Sequence, residues 1–170
     1  MRILARAVSI GVLVSVCGLA GTTSLAFIVA RLGAPYPVKI SWKTEVASVG
    51  VDRLGRIAVS VTPSLVHSTS ADMLAFLYLH EVGHVRAGHL RPRDPNQTRY
   101  FMAWEIRDRV WKMEYEADAW ATKRSLIVGY DPLRGIEQLF ILFGDGGGLT
   151  HPPDRVRIDR VRRAGLPANP

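Results

Sequence analysis

A stretch of five consecutive residues in this chain contains three side chains suited to metal-assisted chemistry. His80, Glu81 and His84 form the pattern H-E-x-x-H, and the apolar residues before them indicate a helix. Residues four apart lie on one face of a helix, so both imidazoles can bind one zinc ion. Glu81, one step round the helix, can hold a water molecule beside that ion and take its proton. The plain alternative is a helix with two half-exposed histidines.

A catalytic zinc site needs a third protein ligand, and two segments offer one. His89 follows His84 by five residues; on a continuing helix it points about 140° away, so we interpret it as structural. Glu114 and Asp118 are better placed, because a spacing of four puts both carboxylates on one side of a helix. Glu114 can then bind the metal while Asp118 fixes the tautomer of a ligand histidine. The alternative is a solvated acidic face, and Glu116, rotated by about 200°, points elsewhere.

The elements that position these residues follow from turn residues and from hydrophobic periodicity. Two β-rich segments, 46–51 and 56–62, flank a turn and predict a hairpin. Candidate caps between Ser68 and Asp72 begin the motif helix, and Gly88 can end it. Three further helices are expected, over about 98–126, from 132 to about 143, and after Pro153. We therefore expect an α+β fold, mainly helical, with a small antiparallel sheet packed on the motif helix and on a second ligand-bearing helix.

The N-terminal segment raises the question of a membrane. Val8 to Ala30 is a run of 23 residues without a charge, preceded by Arg2 and Arg6. Such a run is long enough to cross a bilayer as a single anchor, and it also suits a secretory signal peptide. A buried core helix is the third alternative.

These features predict three regions. Residues 1–31 form the anchor or signal, 32–45 form a linker that begins with Gly33-Ala34-Pro35-Tyr36-Pro37, and 46–170 form the domain that carries the candidate zinc ligands. We expect attachment to a membrane with the catalytic domain outside the cytoplasm. The alternative is a secreted or periplasmic protein after signal cleavage.

Charge and cysteine content limit the other classes of function. The net charge is +7, but the basic C-terminal residues share a helix-like segment with Asp154 and Asp159, and no nucleic-acid recognition motif is present. We therefore expect no nucleic-acid partner. Cys17 is the only cysteine, which excludes a disulfide framework and a cysteine-ligated zinc site within this sequence.

Three motifs in a fixed order carry a resemblance to a known family. They are His80-Glu81-x-x-His84, then Glu114-x-x-Ala117-Asp118, then Thr150-His151-Pro152-Pro153 followed by Arg157-Ile158. Over roughly Val46 to Val161 the chain resembles the HtpX-like gluzincin metallopeptidases, which include the CAAX prenyl endopeptidases and the mitochondrial Oma quality-control protease. The short interval between the first two motifs is that of a minimal catalytic core, a zincin-like minigluzincin, without additional membrane helices.

The resemblance implies a role for each matching residue. It assigns His80, His84 and Glu114 as ligands of one zinc ion and Glu81 as the general base. It places Asp118 behind a ligand histidine, makes Arg157 a brace for the site, and gives His151 the task of stabilising the transition state.

The expected function is that of a zinc endopeptidase, with a role in protein quality control implied by the resemblance. We expect a polypeptide substrate to bind in extended form, as a strand added to the β-rich segment before the motif helix. That segment comprises Ile57, Ala58, Val59, Ser60 and Val61. The alternative is a non-catalytic, membrane-tethered module that binds zinc for stability and interacts with partners.

Overall fold

The computed structural model describes residues 23–33, 35–44, 46–52, 54–65, 67–68, 70–90, 103–144, 147–148 and 151–165. Within these residues the protein is mainly helical, with a small mixed sheet, which confirms the expected α+β class. One central helix contacts the sheet on one side and other helices around it. His80, Glu81 and His84 lie on this helix, and Glu114 and Asp118 lie on a helix that packs against it.

The predicted hairpin is present. Strand β3 (Ala47–Val51) pairs antiparallel with β4 (Ile57–Val61), with Val49 opposite Val59. The turn between them is held by Asp52, whose Oδ1 accepts hydrogen bonds of 2.9 Å from the backbone N–H groups of Leu54 and Arg56. Such local carboxylate-to-backbone bonds are typical of Asp in turns.

A third strand joins the sheet from within the predicted linker. Strand β2 (Val38–Ile40) pairs in parallel with β4, with Val38 opposite Val59, so the sheet is mixed and the prediction of an antiparallel sheet is wrong. The strand order is β2-β4-β3, so β4 is the central strand and is hydrogen-bonded on both sides. The prediction that the segment Ile57 to Val61 offers a free edge to substrate is therefore wrong. The predicted linker also contains part of the folded unit, because β2 belongs to the sheet.

The motif helix, α2 (Ala71–Arg86), is the centre of the fold. Its predicted cap is confirmed: Ser70 Oγ accepts a hydrogen bond of 3.1 Å from Met73 N. Every residue from Met73 to Gly83 is buried. A helix buried on all sides belongs in the middle of a core, and here it carries two histidines and a glutamate into that core.

Three helices follow in the predicted order. They are α3 (Ala103–Ile127), α4 (Pro132–Phe143) and α5 (Asp154–Gly165). Asp131 caps α4 by accepting hydrogen bonds from the backbone N–H groups of Leu133 and Arg134. Helices α3 and α4 both pack on α2, and α5 packs on α3 and α4. The first residues of the predicted long helix, 98–102, lie outside the described residues.

The N-terminal part of the described chain corrects the anchor prediction. Residues Thr23–Ser24 form a short strand, β1, paired with β5 (His67–Ser68), and Leu25–Arg31 form the seven-residue helix α1. Leu25, Ile28 and Leu32 are spaced along one face of this segment and are buried in the core.

A single-pass anchor over Val8 to Ala30 is thus contradicted. Residues 25–30 of that run belong to α1, which packs on α2 and buries its apolar face in the protein core. None of the helices in the described part of the chain is long and apolar enough to span a bilayer. Residues 8–22 of the run lie outside the described residues.

Candidate metal centre

Three predicted ligands meet at the interface of α2 and α3. His80 Nε2 lies 3.1 Å from His84 Nε2, and Glu114 presents Oε2 at 3.3 Å from His80 Nε2 and Oε1 at 3.3 Å from His84 Nε2. One possible ligand atom from each residue lies within 4.8 Å of the ligand atoms of the other two. His80 and Glu114 are buried, and the buried Glu114 Oε2 has no hydrogen-bond partner among the described residues. A cation would satisfy that oxygen, so this group can hold a metal ion.

A close approach of the two helices brings the ligands together. A Cβ atom at Gly83 would lie 2.9 Å from both Cα and O of Ala117. Contacts this short exclude any side chain at position 83 unless the helices separate. Gly83 lies between His80 and His84, and Ala117 lies between Glu114 and Asp118. The small residues inside both motifs therefore set the distance over which the ligands reach one another.

The outer face of His80 is held by a buried carboxylate. His80 Nδ1 and Asp118 Oδ1 lie 2.8 Å apart, which matches the partner predicted from the sequence. Arg157 donates to both oxygens of Asp118, from Nε at 2.9 Å and from Nη2 at 2.8 Å. Although burial raises the pKa of Asp118, its interactions with Arg157 and His80 outweigh this and lower the pKa to about 2. Asp118 is thus ionised and oriented as an acceptor for His80.

The outer face of His84 is held differently, and the partner was missed. His89 Nδ1 lies 2.9 Å from His84 Nδ1, and His89 Nε2 lies 3.0 Å from Glu116 Oε2. The prediction assumed a continuing helix, but α2 ends at Arg86 and Gly88 adopts a φ of 75°. The chain therefore turns back, and His89 N donates to His84 O at 2.9 Å. The glycine at 88 was the signal, since it favours such a left-handed turn.

The electrostatics of the ligand group suit a cation. Burial raises the pKa of Glu114, but its interactions with His80 and His84 outweigh this and hold that pKa well below its usual value. Burial lowers the pKa of His80, yet its interactions with Asp118 and Glu114 outweigh this and raise the pKa overall. The lowered pKa of Glu114 and the raised pKa of His80 both mean that a positive charge between these ligands is stabilised. A proton or a metal ion can supply that charge.

Glu81 and His151 line an open cleft of about 480 Å³ beside the ligands, and His80 and Arg157 also contribute to its wall. Glu81 is 7% exposed, and burial raises the pKa of its carboxyl group. His151 is about half exposed, and its Nε2 lies 3.7 Å from Glu114 Oε2. Its motif neighbour Thr150 lies outside the described residues.

Strand β3 borders the same cleft, whereas β4 does not. Val46 and the first two residues of β3, Ala47 and Ser48, line it together with Phe76 and Glu81. In the described part of the chain, the second edge of β3 pairs with no other strand. The free edge next to the site therefore belongs to β3, the neighbour of the strand named from the sequence.

In comparisons with known proteins, no protein-family model, no curated protein and no solved structure matches this chain.

Proposed function

We propose that this protein is a zinc-dependent endopeptidase with a zincin-like core similar to that of the HtpX-like gluzincins. The observation that carries the proposal is the convergence of His80, His84 and Glu114, with Glu81 beside them in an open cleft. A structural zinc site is closed by four protein ligands, whereas a catalytic site has three and an open position. Three ligands next to a cleft favour the catalytic type.

The spacing of the donor atoms supports zinc as the metal. A tetrahedral zinc ion with ligand bonds of about 2.0–2.1 Å separates its ligand atoms by about 3.3–3.4 Å. Here the two Nε2 atoms are 3.1 Å apart, and each lies 3.3 Å from one of the two oxygens of Glu114: His80 from Oε2 and His84 from Oε1. Two imidazoles and one carboxylate are also a ligand set that zinc hydrolases use. When bound, zinc supplies a Lewis acid that polarises the scissile carbonyl and lowers the pKa of water.

Glu81 would move the proton. Its raised pKa follows from burial, and a pKa closer to neutrality suits a carboxylate that first takes a proton from water and then delivers it to the leaving amine. Glu81 is not one of the three ligands, so its burial beside them has no purpose in a site that only stabilises the fold. This argues against the non-catalytic module.

His151 would stabilise negative charge on the substrate oxygen. Its position in the cleft, close to Glu114 but outside the ligand group, suits a donor that acts on substrate. Along the wall of the cleft, the β3 edge would hold the substrate as an added strand, through backbone hydrogen bonds. The substrate class is therefore an unfolded or extended polypeptide.

The test is hydrolysis of unfolded casein by the full chain, with zinc and with a chelator. Wild-type turnover should disappear with the chelator and return with zinc. Glu81→Gln should bind zinc normally and lose turnover by about 10²–10⁴-fold, because a proton-transfer group is lost. His151→Ala should lose about 10²–10³-fold.

Glu137→Gln is the matched control, because it removes a half-exposed carboxylate of α4 that pairs with Arg162. It should leave turnover unchanged. Wild-type turnover in the Glu81→Gln chain would contradict the mechanism and favour a zinc-stabilised binding module.

A further inference from the structure

The second ligand histidine is held by a chain of two contacts that reaches the protein surface. His84 Nδ1 meets His89 Nδ1 at 2.9 Å, and His89 Nε2 meets Glu116 Oε2 at 3.0 Å. The His89 side chain is 8% exposed, and that of Glu116 is 46% exposed. The backbone bond from His89 N to His84 O fixes the start of this chain. His89 is thus packed and oriented, rather than a loose surface group.

Metal binding allows only one direction for the protons along this chain. His84 faces the ligand group with Nε2, so a metal there leaves the proton of the neutral imidazole on Nδ1. That N–H must then donate to His89 Nδ1, which requires His89 to carry its own proton on Nε2. His89 Nε2–H in turn donates to the Glu116 carboxylate, which can only accept. Every group along the chain is then satisfied.

We propose that His89 and Glu116 are positioning residues for His84: they fix its tautomer and ring orientation and so strengthen metal binding without touching the metal. The inference rests on the proposed zinc site. The role differs from that of a ligand, because the His89 ring meets the far nitrogen of His84 and lies outside the group that can hold the ion. Outer partners of this kind typically contribute 10–100-fold to metal affinity.

Two substitutions at position 89 separate positioning from packing. His89→Phe keeps a ring of similar size but removes the acceptor, whereas His89→Asn loses the ring but keeps an acceptor near the position of Nδ1. Zinc affinity is measured on the full chain by competition with a chromophoric chelator. We expect His89→Phe to weaken zinc binding by about 10–100-fold and His89→Asn by less than about 10-fold. A packing role predicts the opposite order, since the side chain is almost fully buried.

Two substitutions at position 116 test the far end of the chain. Glu116→Ala removes the acceptor and Glu116→Gln keeps one without its charge, so Glu116→Ala should weaken zinc binding more. Asp108→Ala is the matched control, because it removes another exposed carboxylate from the same helix. Asp108 accepts hydrogen bonds from the adjacent Arg107. It should leave zinc affinity unchanged. Equal losses in Glu116→Ala and Asp108→Ala would mean that only the overall charge of α3 matters.

The tautomers of wild-type protein give a test that needs no substitution. In the zinc-bound full chain, long-range ¹H–¹⁵N spectra should show His84 protonated on Nδ1 and His89 protonated on Nε2. A His89 protonated on Nδ1 would overturn the inference, as would a His89→Phe chain that binds zinc as tightly as wild type. Those results leave the zinc site itself intact. Wild type that binds no zinc would instead overturn the proposed function together with this inference.

Discussion

The two histidines of the motif lie one turn apart on the same helix, yet the protein supports them in different ways. His80 is backed directly by Asp118, which is 2% exposed and held by both nitrogens of the Arg157 fork. His84 is backed through a second imidazole by Glu116, which is close to half exposed. One support lies in the core between three helices, and the other ends at the surface.

The two supports differ in how much each contributes to the tertiary structure. The Asp118–Arg157 pair joins α3 to α5, so the support of His80 is also part of the tertiary structure. The His89–Glu116 contact joins the end of α2 to the surface of α3 and buries little charge. We therefore expect a change near His80 to affect both stability and metal binding, and a change near His84 to affect metal binding alone.

The largest expected effect comes from Asp118→Asn. This substitution removes the carboxylate that accepts two hydrogen bonds from the buried Arg157 guanidinium and leaves it paired with Asp154 at 3.5 Å. Removing one partner of a buried pair costs about 3–5 kcal/mol. Glu116→Gln, at the other support, should change the free energy of unfolding by less than about 1 kcal/mol. Urea unfolding of the full chain with a chelator present measures both without a contribution from bound metal. Similar small losses in the two chains would show that the supports do not differ.

A smaller effect is expected from Gly83→Ala, which acts on both histidines together. The added Cβ would meet the backbone of Ala117 at 2.9 Å and force α2 and α3 apart, at a cost of about 1–3 kcal/mol. Zinc binding should weaken as well, because Glu114 on α3 would move away from both histidines on α2. Gly165→Ala, in helix α5 with open space around it, is the control and should do neither. Normal zinc affinity in Gly83→Ala would show that the ligands do not depend on this approach.

Local sequence signals predicted much of the fold and the pairing of Asp118 with one of the motif histidines. The hairpin, a cap between Ser68 and Asp72, the three later helices and that pairing were expected from turn residues and from spacings of four along helices. Interactions of this kind depend on residues close in sequence or on one helix face, so they are visible before the tertiary structure is known.

The errors arise where distant segments meet or where a helix stops. The parallel pairing of β2 with β4 joins residues about 20 positions apart, and it converts the named substrate strand into a central one. His89 reaches His84 only because α2 ends before Gly88. The apolar N-terminal run has the length of a membrane-spanning helix, whereas its last residues form a helix packed in the protein core. Composition alone does not distinguish a lipid environment from a protein core.

The most direct test of the account is the zinc content of two variants of one helix. Glu114 and Glu116 are two residues apart on α3, but only Glu114 belongs to the ligand group, while Glu116 stands behind His89. At saturating zinc, wild type and Glu116→Ala should each bind one ion per chain, and Glu114→Ala should lose most of it. Full retention of zinc by Glu114→Ala, measured on folded protein by elemental analysis, would contradict the metal centre described here.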